Sequence, residues 1–222
     1  MNIVFGQKRL VNVASRSASI VKYPEQAVIT VEGIKGAKKS RRILMNAKAA
    51  QYLELVVGEV ENIDREGVII GGNFVNWYGG FDSYITASEH FDADQISAPS
   101  MGRKQPGEEQ LINHLPYLNW KDWIHKLNEF KIGIHLMRTH AAGTFALNCA
   151  YLGIPCIGYK GLDTQELCHP DLTVEVGNLR HAKELLGELK NNSYLYKEYS
   201  NLAKENYKTY YHENIFNTTW KK

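Results

Sequence analysis

Gly143, Thr144 and Phe145 occupy a position where backbone alone can hold an anion. An apolar run from Lys131 to Met137 precedes them, with a turn through Ala141, Ala142 and Gly143. A helix-length segment, Thr144 to Leu152, follows, then Gly153 and a second apolar run from Pro155 to Tyr159. Strand, glycine turn, helix, glycine stop and strand make a βαβ unit with a buried parallel sheet. Ligands of such sheets collect at the carboxyl ends of the strands, and a helix N-terminus there favours phosphate. A second cluster is KGAKKSRR, residues 35–42, in which Lys38, Lys39, Arg41 and Arg42 could contact nucleic-acid phosphates; a solvated hairpin face accounts for them equally well. A third is polar, Asp163, Gln165, Glu166, His169 and Asp171, with a spacing that lacks a metal-ligand pattern, so no metal site is expected. His114, His125 and His135 are scattered, and His135, inside an apolar run, reads as a hydrogen-bonded core histidine. No nucleophile elbow, Walker loop or zinc-protease helix signature occurs.

The elements that must position these residues alternate regularly from Gly67 onward. Strands are expected at Val68–Gly72, Gln95–Met101, His114–Leu118, Lys131–Met137, Pro155–Tyr159 and Leu172–Val176. Helices are expected at Ser83–Phe91, Gly107–Ile112, Thr144–Leu152, Leu179–Leu189 and Ser193–Tyr211. Trp120–Phe130 repeats its apolar residues at Trp120, Trp123, Ile124 and Leu127, the stripe of an amphipathic helix. Six strands alternating with helices predict an α/β, Rossmann-like doubly wound parallel sheet. Ahead of it, Gln26–Glu32 is rich in β-branched residues, as a strand should be, and Ala47–Leu55 has strong helix formers. The expected organisation is a small basic β-rich α+β unit, 1–62, followed by the Rossmann-like domain, 63–222.

Composition agrees with two units. The chain has 222 residues and a net charge of +2. Up to Asn62, 10 Lys or Arg face 5 Glu, giving +5, and the remainder carries −3. A basic head on a mildly acidic body suggests different partners for the two. No apolar stretch is long enough to span a bilayer, and MNIVFGQKRLVN lacks the apolar core of a signal peptide. Cys149, Cys156 and Cys168 read as free buried thiols, which fits a reducing cytoplasm.

Residues 67–211 resemble the C-terminal, donor-binding half of a GT-B glycosyltransferase, closest to glycosyltransferase family 4. The likeness rests on LNCAYLGIP, CIGYKG, DTQEL and LTVEVGN, on the order of elements and on the two terminal helices. The resemblance implies binding of a nucleotide-sugar and transfer of its glycosyl group, with no cofactor or metal. The family places two glutamates with seven residues between them, and these positions hold His140 and Asn148 here. It implies that Asn148 offers an amide oxygen to ribose hydroxyls, and that His140 either meets a sugar or phosphate oxygen as the catalytic-side residue or stands exposed without a role. Gly72 would let the donor approach the first strand. Asn73 stands where the family has an Arg, and Trp77 and Tyr78 stand near its Lys; the two aromatics could stack on a ring or pack inside. Arg103 and Lys104, or Arg138, could replace the missing cations or lie in solvent. Asp163 and Gln165 fall on a donor-side loop.

The piece before Gly67 is too short for the acceptor domain of such an enzyme. The resemblance therefore leaves two expectations, a partner chain that supplies the acceptor side or a retained donor-domain fragment, with an acceptor that the residues do not identify. The alternative expectation is a catalytically degenerate donor-binding or scaffold module whose basic head, 35–42, contacts nucleic acid.

Overall fold

The computed structural model describes residues 2–4, 10–11, 19–23, 26–30, 49–57, 60, 63–74, 78–99, 106–141 and 143–211. Near the N-terminus, β1 (Asn2–Val4), β2 (Leu10–Val11), β3 (Ser19–Tyr23) and β4 (Gln26–Thr30) form an antiparallel sheet in the order β2-β1-β4-β3. The expected strand at Gln26 is thus one of four. The basic cluster, Lys38, Lys39, Arg41 and Arg42, lies outside the described residues, as do Trp77, Arg103 and Lys104.

Six further strands build a wholly parallel sheet. They are β5 (Glu66–Ile70), β6 (Ile96–Ala98), β7 (Asn113–His114), β8 (Phe130–His135), β9 (Cys156–Tyr159) and β10 (Thr173–Val174), in the order β10-β9-β8-β5-β6-β7. The helices are α1 (Gly80–Ala87), α2 (Trp120–Leu127), α3 (Thr144–Leu152), α4 (Asp163–Cys168), α5 (Leu179–Asn191) and α6 (Ser193–Tyr210). Alternate residues of one strand serve opposite faces, as the period of two requires. Ile69 packs with Leu147, Cys149 and Tyr207 beneath α3 and α6. Val68 and Ile70 pack with Ile134, Ala87 and Leu186 beneath α1 and α5. A sheet buried on both faces explains why its strands read as continuous apolar runs. The α/β Rossmann-like fold expected from the alternation is the fold observed.

Several boundaries differ from expectation because contacts outside the element itself set them. Helix α1 begins at Gly80, three residues before Ser83, because the Gly80 N–H donates to the Asn73 carbonyl at 3.0 Å and closes the β5 loop onto it. Strand β7 covers only Asn113–His114; Leu115 still donates to the Ala98 carbonyl at 2.9 Å, and Pro116 has no N–H to continue. Residues 108–110 form a 3₁₀ turn. Helix α4 was not expected at all. Residues 49–57, expected in the first unit, end in a π-helical turn, and Ala49, Ala50, Leu53 and Val57 share the Ile69 core. The Tyr207 hydroxyl donates to Glu54 Oε1 at 3.0 Å, and Tyr151 to the Leu53 carbonyl at 3.2 Å. The chain therefore enters the second core at Ala49, ahead of the boundary expected after residue 62.

One cation fixes how α3 is aimed. Half-buried Arg65, just before β5, donates to the Leu152 carbonyl (2.7 Å), the Gly153 carbonyl (3.3 Å) and both oxygens of Asn128 (3.0 and 2.6 Å). It satisfies the carbonyl ends of α2 and α3 with a positive charge, where the helix dipole favours one. The opposite, N-terminal end of α3 is thereby held at the carboxyl edge of the sheet.

Candidate functional site

Strand β5 has β6 on one side and β8 on the other, so the chain reverses its direction of winding between β5 and β8. A crevice opens at the carboxyl ends of strands at such a point. It holds a cavity of about 420 Å³, a volume suited to a small organic ligand. Gly72 and Tyr78 contribute the β5 side, Pro99 the end of β6, and Pro116, Tyr117 and Leu118 the loop after β7. His135 and Met137 lie at the end of β8, while Gly143, Thr144, Phe145 and Asn148 bring in the first turn of α3. Trp123 of α2 completes the wall.

The first turn of α3 is built by glycine and braced by the segment after β9. Gly143 is the N-cap at φ 74, a conformation that residues with a Cβ rarely adopt. Its carbonyl accepts the first helical bond, from Leu147 N–H at 3.2 Å, so the N–H groups of Thr144, Phe145 and Ala146 precede the helical ladder. The same carbonyl accepts from the buried Thr164 hydroxyl at 2.5 Å. Ala141 bridges to Leu162, and His140 Nδ1 lies 3.2 Å from the Gly161 carbonyl. A carbonyl only accepts, so His140 carries its proton on Nδ1 in that contact. What the sequence offers as CIGYKGLDT is thus the strap that holds the first turn of α3.

Asn148 has its amide committed within the wall. In the orientation that satisfies both neighbours, its nitrogen donates to the Thr144 carbonyl at 3.2 Å and its oxygen accepts from Trp123 Nε1 at 3.2 Å. Trp123, Phe145 and His135 then follow one another as an aromatic row, with ring centroids 6.3 Å and 5.2 Å apart. His135 is buried and its ring sits against Gly71, where an added Cβ would come within 2.8 Å of it. Burial pushes its pKa down to about 4, so the ring is neutral at physiological pH. Its Nδ1 has no hydrogen-bond partner among the described residues. The expectation of a hydrogen-bonded core histidine is corrected here. An ionisable residue at the last position of a strand next to the reversal point was the signal available.

The other expected residues separate. Gly72, Gly143, Thr144 and Asn148 come together at the cavity. Asn73 is buried beside Gly72, with its carbonyl on Gly80 N–H. His140 is exposed and sits one residue outside the wall at Ala141. Asp163 opens α4 and is half-buried. Gln165 does not reach the cavity: it is fully buried, and its amide nitrogen donates to the Cys156 carbonyl at 2.8 Å and the Leu172 carbonyl at 3.3 Å. The donor-side loop expected around Gln165 is instead helix α4, which turns its side chain inward. His169 is likewise interior; Nε2 faces the Ala146 carbonyl at 3.1 Å, Nδ1 accepts from Cys156 N–H at 3.4 Å, and burial pushes its pKa down to about 4.

Charge around the cavity is sparse. Among the described residues no Lys or Arg lines it. Arg138, a candidate replacement cation, instead pairs with buried Asp82 through NH2 at 2.7 Å and Nε at 2.8 Å. Asp82 also accepts from the Tyr159 hydroxyl at 3.0 Å. Burial, reinforced by that carboxylate, pushes the Tyr159 pKa up, so the hydroxyl stays a donor. This triad ties α1, the β8 loop and β9 together beside the site. The described residues contain no group of three or more His, Cys, Asp or Glu able to hold a metal ion, and no helix long and apolar enough to cross a membrane.

No family model and no curated protein sequence matches the chain. Solved structures do resemble it. Sucrose-phosphate synthase from Thermosynechococcus elongatus aligns with a TM-score of 0.56 at 11% identity, covering 78% of this chain and 46% of that one. HepE from Anabaena, in complex with UDP-glucose, aligns at 0.56 and 11% identity over 80% of this chain and 51% of its own. The C-terminal domain of a glycosyl transferase group 1 family protein, LpcC, from Francisella tularensis aligns at 0.50 and 14% identity over 75% of this chain and 93% of that domain. The chain thus spans about half the length of the first two and most of the third. Identities this low speak for the fold alone. That fold is the Rossmann-like α/β fold of a GT-B glycosyltransferase C-terminal domain.

Proposed function

We propose that the chain binds a nucleotide-sugar donor in the cavity between β5, β8 and α3, and that the glycosyl group passes to an acceptor presented by a partner or a further domain. The observation that carries this reading is the junction of the reversal-point cavity with the first turn of α3. Without cations in the described wall, the N–H groups of Thr144 and Phe145 and the positive end of the α3 dipole are the groups suited to a diphosphate. The aromatic and proline surface of Pro116, Tyr117 and Trp123 suits a base. Gly72 folds back so closely that a side chain there would strike the Tyr78 carbonyl, which keeps the β5 edge open to the ligand. The Asn148 amide oxygen has a second lone pair for a ribose hydroxyl. Asp163 and His140 stand on the sugar side, and Arg103 and Lys104 are the cations proposed to join the phosphates. The likeness to family 4 belongs to this proposal, as does a cytoplasmic setting, which three free buried cysteines fit.

A second reading, donor binding without transfer, draws on two observations. His140 is held on Gly161 outside the cavity, and Arg138 is held by Asp82. Nucleic-acid contact through residues 35–42 would accompany that scaffold role. Release of nucleoside diphosphate from UDP- and GDP-sugars by the purified chain separates the two. Transferase chemistry is expected to give slow release from one donor, above the uncatalysed background. Saturable donor binding with no release from any sugar would establish the second reading instead.

A further inference from the structure

Resting on the donor reading above, we propose that Trp123 stacks on the base of the bound nucleotide and that Asn148 is the positioning residue that holds the indole for it. Trp123 is half-buried and lines the cavity, so part of its ring meets whatever the cavity holds. Its helix is firmly seated: Ile124 and Leu127 are fully buried, and Trp120, one turn earlier, stacks on Tyr52 with ring centroids 5.0 Å apart. The indole edge is held as well. Nε1 donates to the Asn148 oxygen at 3.2 Å, and the Asn148 nitrogen donates to the Thr144 carbonyl at 3.2 Å. One amide thus latches α2 to the first turn of α3 and fixes the indole relative to the N–H groups of Thr144 and Phe145. The other rings of the wall lack this combination of an open face and a fixed edge. Tyr117 is 85% exposed, and Phe145 lies against His135, with its ring close to Gly71 and Gly133. Because its one N–H is spent on Asn148, the indole offers a ligand its face and no hydrogen bond. A flat, uncharged ring is the part of a nucleotide-sugar that such a face suits, and a ring fixed before binding loses little freedom on contact.

UDP and 5,6-dihydro-UDP separate stacking from every other contact, because saturating the base removes its flat aromatic ring and leaves the ribose and phosphates unchanged. Calorimetric titrations of the full chain with both compounds compare wild type, Trp123→Leu, Trp123→Phe and Asn148→Leu, with tryptophan emission and a thermal melt of each. Wild type is expected to prefer UDP by about tenfold, the usual scale of base–aromatic stacking, and its emission should fall as UDP binds. Trp123→Leu is expected to bind the two compounds equally. Trp123→Phe should keep most of the preference and lose the fall in emission, although Trp77, Trp120 and Trp220 remain as fluorophores. Asn148→Leu should bring the preference toward unity, whereas loss of a ribose contact alone would weaken both compounds and leave their ratio at the wild-type value. Each ratio is taken within one folded protein, so a lower melting temperature does not change what it reports. A tenfold preference that survives in Trp123→Leu, or a wild type that binds both compounds equally, overturns the stacking and leaves the donor reading standing. A preference unchanged in Asn148→Leu overturns the latch. Absence of wild-type binding to either compound overturns the donor reading as well. Should Trp123→Leu not fold, the emission of Trp123→Phe decides: a fall that persists there overturns the stacking, and one that disappears supports it.

Discussion

Replacing Gly143 with valine is expected to destabilise the chain by about 1.5–3.5 kcal/mol and to abolish ligand binding at the cavity. Two terms combine. Holding an L side chain in the left-handed region costs roughly 1–2 kcal/mol, and Gly143 sits there at φ 74. A Cβ at that position also strikes the Thr164 hydroxyl. Thr164 is fully buried, and moving it breaks its bond to the Gly143 carbonyl, a net loss of about 0.5–1.5 kcal/mol for one hydrogen bond. For a chain of this size the melting temperature should fall by roughly 3–14 °C. Alanine separates the terms. Gly143→Ala combined with Thr164→Ala should cost less than the sum of the single changes, since the second removes the atom that the first collides with. Additive losses in that cycle would show that the strap from β9 does not brace the turn.

Acidification to pH 5 should remove about 4 kcal/mol of stability relative to pH 7.5. His135 and His169 are both neutral in the fold, with pKa values pushed down to about 4 by burial, whereas an exposed histidine titrates near 6.5. Between those values the unfolded chain binds protons that the folded chain does not, so stability rises with pH across that window. The benefit is fully present above 6.5, is lost progressively as pH falls toward 4, and does not fall further below that. At pH 5 the loss is about 2 kcal/mol for each histidine, or roughly 8–16 °C in melting temperature for the pair. Urea titrations at the two pH values measure it. His135→Asn should retain about half of the slope, the part due to His169. A melting midpoint unchanged between pH 7.5 and pH 5 would show that these rings are hydrated or already charged.

The parts of this protein legible in its sequence are those whose causes are local. Helix α3 runs from Thr144 to Leu152 as expected, because Gly143 and Gly153 bound it and apolar runs flank it on both sides. The parallel sheet was legible because strands buried on both faces are apolar throughout. What escaped depends on partners outside the element concerned. The start of α1 is set by Asn73, the end of β7 by its one remaining bond to Ala98 before Pro116, and the inward turn of Gln165 by carbonyls of Cys156 and Leu172. Arg138 looked free for a phosphate until Asp82, 56 residues earlier, took it. At the site, the glycines and Thr144 were readable from the helix start. His135 was not, since an apolar run conceals which of its residues ends at the crevice.

A crystal structure of the full chain grown with UDP tests the central claim most directly. The diphosphate is expected against the N–H groups of Thr144 and Phe145, with the ribose near Asn148 and the base toward Pro116 and Tyr117. A cavity left empty at millimolar UDP, or nucleotide bound elsewhere on the chain, would contradict it.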